Sequence, residues 1–213
     1  MSHSKVSFIK GSGFVRGMAK KRKFVAYRKL ERPYTRFSKY KKLAYVRTRP
    51  PCRIARFDMG DDMKVFSHQL DLLAGASIQI RDSALEAGRQ TCNRVLEKTL
   101  TKNGFKMKVM TYPHHILREN PLAAGAGADR MSTGMSHSFG KVIGIAAQVK
   151  KGQPLFRVNV DKQHVETAKL GLKRAQGKVP CNCSIRIIEM SEKNKAAAAK
   201  KASEMAPVKK AVA

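Results

Sequence analysis

Residues able to bind phosphate and stack on bases are concentrated at the amino terminus. Met1–Arg56 contains 18 Lys and Arg residues but one acid, Glu31, together with eight of the 14 aromatic residues. Cationic groups hold phosphates while aromatic rings stack on unpaired bases, so this mixture favours nucleic acid over a plain solvated tail. We predict an RNA-binding arm over residues 1–53. Its expected RNA contacts are Arg22, Lys23, Arg28, Arg32, Arg36, Lys41, Arg47 and Arg49.

A second group of candidate contacts lies in the middle of the chain. His114, His115 and Arg118 follow Pro113, and Arg130 and Lys141 come shortly after. The imidazoles could stack on RNA or meet phosphate, and the three cations could bind phosphate. We therefore add these five residues to the predicted RNA-binding set.

The same residues are a poor basis for a metal or catalytic site. The two histidines would need two further ligands, and the other His and Cys residues have no accepted zinc spacing. Asp129 beside Arg130 is typical of a salt bridge or a turn, because general acid chemistry needs a partner in a dry pocket. We predict no metal, no cofactor and no catalytic residue.

The charge of the whole chain points to a polyanionic partner. Its 213 residues include 44 Lys and Arg against 15 Asp and Glu, a formal charge of +29. Self-repulsion at this charge opposes compaction unless a polyanion neutralises it. There is no apolar run of membrane-spanning length, and four cysteines are too few for a disulfide framework. We expect a soluble, non-secreted protein with reduced thiols; an RNA-modifying enzyme and a DNA-packaging protein stay open as alternatives.

The elements that must position these groups lie in residues 54–189. A capping box at Ser83–Glu86 predicts an amphipathic helix that ends near Asn103–Gly104 and carries Cys92 on its apolar stripe. Asp161 is predicted to cap a second helix that ends before Gly177. The Lys- and Ala-rich tail, residues 190–213, has no apolar stripe and receives no chemistry.

Alternating apolar residues predict the strands. Short strands are expected within 54–59, 64–73 and 184–189, and Phe105–Val109 alternates apolar residues with Lys. The runs 143–149 and 156–160, joined by a turn at Lys150–Gln153, are interpreted as a hairpin. The mixed order predicts an α+β fold, with two amphipathic helices on one side of a mostly antiparallel sheet.

A glycine-rich loop is predicted over residues 118–139. This stretch has few large apolar residues, and a structureless segment of this length inside a domain is functional or disordered. Small residues let the backbone approach another surface closely. We interpret the segment as a loop that enters a crowded RNA environment.

Several strings in and around this loop resemble one family. P-H-H-I-L-R-E-N at 113–120, G-A-D-R-M-S-T-G-M at 127–135 and F-G-K at 139–141 resemble the universal large-subunit ribosomal protein family uL16, in its archaeal and eukaryotic (L10e) branch. R-P-Y-T-R, R-F-D-M-G, A-L-E-A and K-Q-H-V-E-T-A support the match from either side. The resemblance covers roughly Tyr27 to Glu189. The start, residues 1–24, and the tail depart from the family pattern.

The resemblance implies a hammerhead-like α+β core in the cytoplasmic ribosome that supports translation without being catalytic. Its implied partners are large-subunit rRNA, tRNA in the aminoacyl-tRNA accommodation site, neighbouring ribosomal proteins and the small ribosomal RNA of the large subunit, with no membrane. The loop would be directed toward the peptidyl transferase centre. Its implied residues are Gly125, Gly127, Ala128, Asp129, Arg130, Thr133, Gly134 and Met135.

Overall fold

A computed structural model describes residues 22–31, 33–35, 40, 50–119 and 140–190. A short 3-10 helix, Phe24–Tyr27, precedes the core. The remaining elements, in chain order, are β1 Asp58–Gly60, β2 His68–Ala74, β3 Ile78–Arg81, α1 Asp82–Leu100, β4 Phe105–Val109, β5 His115–Glu119, β6 Lys141–Val149, β7 Pro154–Val160, a 3-10 turn Lys162–His164, α2 Val165–Gln176 and β8 Cys183–Glu189.

Five of the strands form one antiparallel sheet in the order β1-β4-β7-β2-β8. Successive strand residues point to opposite faces, and the apolar members of each alternation share the inner face. Phe105, Met107, Phe156, Leu70 and Leu72 are fully buried there. This face forms the centre of the hydrophobic core.

Both helices pack on the inner face and against each other. Two glycines permit the close approach. A Cβ on Gly88 of α1 would lie 3.1 Å from the Phe156 ring, and one on Gly171 of α2 would lie 3.3 Å from the Cys92 sulfur. Cys92 is fully buried, and burial raises the pKa of its thiol to about 12. The predicted α+β class, with two helices on one side of an antiparallel sheet, is confirmed.

The other three strands form a second antiparallel sheet in the order β3-β6-β5. β3 and β5 were not predicted from the sequence. The first has only four residues and runs directly into α1, and the second carries His and Arg among its apolar residues. Neither pattern stands out from a loop or a helix start.

The predicted hairpin between 143–149 and 156–160 is wrong, although both runs are strands. β6 pairs with β3 and β5, whereas β7 pairs with β2 and β4, so the two strands belong to different sheets. The turn between them is tied to the end of β2 instead. The N–H of Gly152 donates to the Ala74 carbonyl (2.7 Å), and the Ala74 N–H donates to the Gln153 carbonyl (3.0 Å).

The predicted helix caps are also wrong. α1 begins at Asp82, and the carboxylate of Glu86 accepts from Arg89 (2.6 and 2.8 Å) instead of closing a capping box. This hydrogen bond lowers the pKa of Glu86, against the effect of its burial. The Asp161 carboxylate makes no cap and binds the ammonium of Lys64 (2.8 Å). Instead of capping a helix, Glu86 and Asp161 each form an ion pair, with Arg89 and Lys64 respectively.

A row of charges crosses the outer face of the five-stranded sheet. The row runs through directly opposed positions on β1, β4, β7, β2 and β8 and consists of Asp58, Lys108, Arg157, Asp71 and Arg186. The carboxylate of Asp71 is fully buried beneath the two guanidiniums, which lie 2.8 and 3.6 Å away. Lys108 lies 3.3 Å from Asp58. Two carboxylates therefore offset most of the charge of the three cations in this row.

We expect Asp71→Ala to lower the free energy of unfolding by about 1–3 kcal/mol, because the Arg157 guanidinium loses its two carboxylate hydrogen bonds. Asp58→Ala removes a carboxylate from the same row but from an exposed pair, so its cost should stay below about 1 kcal/mol. Urea unfolding of the three proteins measures both values. Equal effects of the two substitutions would contradict a special role for the buried carboxylate.

Candidate nucleic-acid interface

The described part of the amino-terminal arm is held on the three-stranded sheet by its main chain. The side-chain amide of Gln79 on β3 donates to the carbonyl of Lys29 (2.9 Å). The amide of Gln148 on β6 donates to the carbonyl of Glu31 (3.0 Å). Because the sheet binds backbone oxygens, the side chains of Lys29 and Glu31 stay exposed to solvent.

The arm also meets β5 through its backbone. The N–H of Tyr34 donates to Nδ1 of His115 (2.9 Å), and the N–H of Ile116 donates to the Tyr34 carbonyl (3.1 Å). Burial lowers the pKa of His115; the Glu31 carboxylate opposes this shift and the Arg118 cation adds to it. A neutral imidazole is the form that can accept at Nδ1, so the lowered pKa suits this contact.

Aromatic rings anchor the same junction. Tyr27 is buried against Leu117 and Ala146 of the three-stranded sheet, and the guanidinium of Arg81 lies 5.4 Å from the centre of its ring. Tyr34 packs beside a second apolar cluster of this sheet. These contacts bury arm residues that a free tail would leave in water.

The arm lies beside the base of the glycine-rich segment, since β5 leads into that segment and β6 leads out of it. The guanidinium of Arg118 lies 3.8 Å from the centre of the Tyr34 ring, a close cation–π contact. Across the ladder, Lys141 pairs in register with Glu119. Gly140 enters β6 with a φ of 110°, a conformation that a residue with Cβ rarely adopts.

An aromatic stack lies on the segment that enters β5. The rings of Phe57 and Tyr112 stack with centres 5.4 Å apart, and the imidazole of His114 lies 4.6 Å from the Tyr112 ring. Tyr112 and His114 are exposed. Exposed rings of this kind are the surfaces on which unpaired bases stack.

A cavity of about 250 Å³ lies beside the junction of arm, sheet and α1. Tyr27, Leu117 and Ile145 line it together with the cations Arg53 and Arg81. The Asp82 carboxylate also lines this cavity, so its walls combine apolar surface with both signs of charge.

The structure describes seven of the residues predicted to contact RNA. Arg22, Lys23, Arg28, His114 and Lys141 are exposed, Arg118 is half-buried, and His115 is buried in the contact with Tyr34. The others lie outside the described residues. These are Arg32, Arg36, Lys41, Arg47, Arg49 and Arg130, together with the loop residues Gly125, Gly127, Ala128, Asp129, Thr133, Gly134 and Met135.

His114 of the stack was predicted from the sequence as an RNA contact, whereas Phe57, Tyr112 and the two glutamines that hold the arm were not. Gln79 and Gln148 bind carbonyls 50 and 117 positions away, a separation that leaves no local pattern. Tyr112 and His114 did carry a signal, because residues two apart in an extended segment share a face.

The part of the chain that the structure describes has neither a candidate metal site nor a membrane-spanning helix. No group of three or more His, Cys, Asp or Glu residues there could hold a metal ion. Among those residues, no helix has the length and apolar character needed to cross a bilayer.

Comparison with known proteins identifies the family. Residues 32–186 match the family model described as ribosomal protein L16p/L10e, and the chain belongs to that family. It is therefore a ribosomal protein and not an enzyme, as the sequence analysis predicted.

The relatives make the assignment more specific. The chain is 44% identical over 154 residues to large ribosomal subunit protein uL16 of Archaeoglobus fulgidus, covering 72% of this chain and 85% of the relative. It is 39% identical over 166 residues to uL16 of Hyperthermus butylicus, covering 78% of this chain and 89% of the relative. The uL16 protein of Methanoculleus marisnigri is 44% identical to the chain over 141 residues, covering 66% of this chain and 83% of the relative. The predicted membership of the uL16 family is confirmed.

The lowered pKa of His115 predicts a pH dependence of stability. Its ordinary pKa is about 6.5, so its stabilising effect is fully present above that pH and is lost as pH falls toward the lower folded-state pKa. Urea unfolding between pH 7.5 and 5 should show this loss. His115→Gln should remove this part of the dependence of the unfolding free energy on pH. His114→Gln, a change in the exposed neighbour, should leave that part intact. If the unfolding free energy of His115→Gln depended on pH as strongly as that of the wild type, His115 would not be the cause of the loss.

Proposed function

We propose that the chain is a structural constituent of the cytoplasmic large ribosomal subunit that binds large-subunit rRNA near the aminoacyl-tRNA accommodation site. Its basic arm and the base of the glycine-rich segment would contact the RNA together. The observation that carries this proposal is the fixing of the arm to the β3-β6-β5 sheet, beside Arg118.

The position of the arm supports a single RNA surface. Main-chain capture leaves cations of the arm, including Arg22, Lys23 and Arg28, exposed to solvent. Lys141 is exposed at the base of the glycine-rich segment on the same sheet. Phosphate contacts from both regions would add to the stacking offered by Tyr112 and His114.

The distribution of acids supports the same surface. Asp58 and Asp71 offset most of the charge of Lys108, Arg157 and Arg186 on the outer face of the five-stranded sheet. That face has little positive charge left for RNA, so the chain's surplus lies elsewhere. Counterion release from phosphates needs cations that RNA can reach, and Arg22, Lys23 and Arg28 of the arm and Lys141 of the three-stranded sheet are exposed.

For the glycine-rich segment, we propose an approach to the peptidyl transferase centre and to tRNA in the accommodation site. Gly125, Gly127 and Gly134 would let the backbone come close to RNA, and Arg130 would supply charge. Peptide-bond chemistry would belong to RNA, and the protein would contribute positioning and charge neutralisation. Neighbouring ribosomal proteins and the small ribosomal RNA of the large subunit are further proposed partners.

The rRNA proposal predicts a steep salt dependence. We expect the affinity of the purified chain for a large-subunit rRNA fragment to fall linearly on a log–log plot of salt concentration. Arg118→Gln should weaken binding and reduce that slope by about 1. Lys108→Gln removes a cation that lies 3.3 Å from its own acid, Asp58, and should leave the slope unchanged. Filter binding from low to moderate salt measures all three.

Two outcomes would contradict the proposal. A flat salt response would exclude a phosphate-based surface. Equal affinity for DNA and RNA duplexes, with no preference for folded rRNA, would support the DNA-packaging alternative. Unfolding curves for both variants must match wild type, since Arg118 also packs on Tyr34.

The loop proposal predicts a specific crosslink. A photoreactive amino acid in place of Met135, in chains assembled into large subunits, should crosslink to the acceptor end of bound tRNA or to the adjacent rRNA. The same amino acid in place of Lys108, on the outer face of the five-stranded sheet, should not crosslink to tRNA. A tRNA crosslink from the Lys108 position alone would refute the proposed orientation.

A further inference from the structure

Two cysteines lie together where β8 begins, far in sequence from the proposed RNA surface. The sulfurs of Cys181 and Cys183 are 3.7 Å apart, and the Cys183 thiol lies 3.5 Å from the Cys181 carbonyl. Both side chains are partly exposed, in contrast to the fully buried Cys92. An external reagent can therefore reach this pair.

The turn between β2 and β3 fixes the geometry of the pair. The N–H of Gly75 donates to the carbonyl of Asn182, the residue between the cysteines (2.8 Å). A Cβ on Gly75 would lie 2.3 Å from that oxygen, so only glycine allows the contact. With Asn182 held at its backbone, both cysteine side chains can face the turn.

The surroundings make the two thiols unequal. The Cys183 thiol and the backbone amides of Gly75 and Ala76 lower the pKa of Cys181 to about 7, against the effect of burial. The pKa of Cys183 is raised by the same sulfur contact and by burial. At neutral pH, Cys181 is therefore the nucleophile, and Cys183 is the protonated neighbour that stabilises it.

We propose that Cys181 and Cys183 form a peroxide-reactive dithiol site that closes to a reversible disulfide. The Cys181 thiolate attacks the hydroxyl oxygen of a peroxide, so that an S–O bond forms and the O–O bond breaks; the hydroxide or alkoxide that leaves takes a proton from solvent and becomes water or an alcohol. The Cys183 sulfur then attacks the sulfenic acid; an S–S bond forms, the S–O bond breaks, and water carries away the thiol proton. The peroxide gains the two electrons that the thiols lose.

The required motion is small. A disulfide has an S–S length of about 2.05 Å, so the sulfurs must close by roughly 1.7 Å. Cys181 precedes the strand and lies in a bend, where side-chain rotation does not break a ladder pair. A nearby resolving thiol also protects Cys181 from irreversible oxidation to the sulfinic acid.

Limited oxidation of the full-length native chain with hydrogen peroxide tests the proposal. Trypsin releases residues 179–186 as one peptide, since cleavage follows Lys178 and Arg186. We expect this peptide to lose two hydrogen atoms and to regain them with a reductant. In Cys183→Ser, a sulfenic acid should persist at residue 181 and be trapped by dimedone; Cys181→Ser should give neither product.

Alkylation rates provide an independent readout. The rate at Cys181 should rise with a midpoint near pH 7. At pH 7 it should be about threefold faster than that of free cysteine, because the larger thiolate fraction outweighs the lower nucleophilicity. Cys92 should remain unlabelled in the folded chain. Sulfinic acid at Cys181 without the disulfide, or faster labelling of Cys183 than Cys181, would overturn the proposal.

Discussion

The hydrogen bonds between the three-stranded sheet and the main chain of the arm fix where the arm lies, and the proposed RNA surface depends on that position. Gln79, Gln148 and His115 each bind a backbone atom, and the buried ring of Tyr27 adds an apolar anchor. Without these contacts, the described part of the arm would be an unattached cationic chain. With them, it lies beside the base of the glycine-rich segment, so the proposed phosphate contacts of the arm and of Lys141 depend on one sheet.

The two sheets have different roles: one supports the helices and the core, and the other holds the arm. The five-stranded sheet supports both helices and carries most of the core, and its outer cations are paired with Asp58 and Asp71. The three-stranded sheet has a smaller apolar core but holds the arm. Asp58 and Asp71 thereby reduce the repulsion among the cations on the sheet that supports the core.

Local periodicity was sufficient to predict elements but not their partners. The alternation in Phe105–Val109 and the stripe on α2 depend on neighbouring residues and were predicted correctly. The connection Lys150–Gln153 looks like a hairpin turn, yet its hydrogen bonds to Ala74 separate the strands into two sheets. Likewise, residue type marked the cations of the candidate site, whereas the capture by Gln148 of a carbonyl 117 residues away has no local signature.

The position of β2 in the large sheet has a consequence for how the chain is made. Both neighbours of β2, residues 154–160 and 183–189, come more than 75 positions after it. Until residues 154–160 have been made, the nascent polypeptide therefore carries Leu70 and Leu72 on a strand with two open edges. Such edges invite pairing with other chains, and pairings this distant form slowly. Newly made copies consequently need shielding from one another until the last strand has emerged.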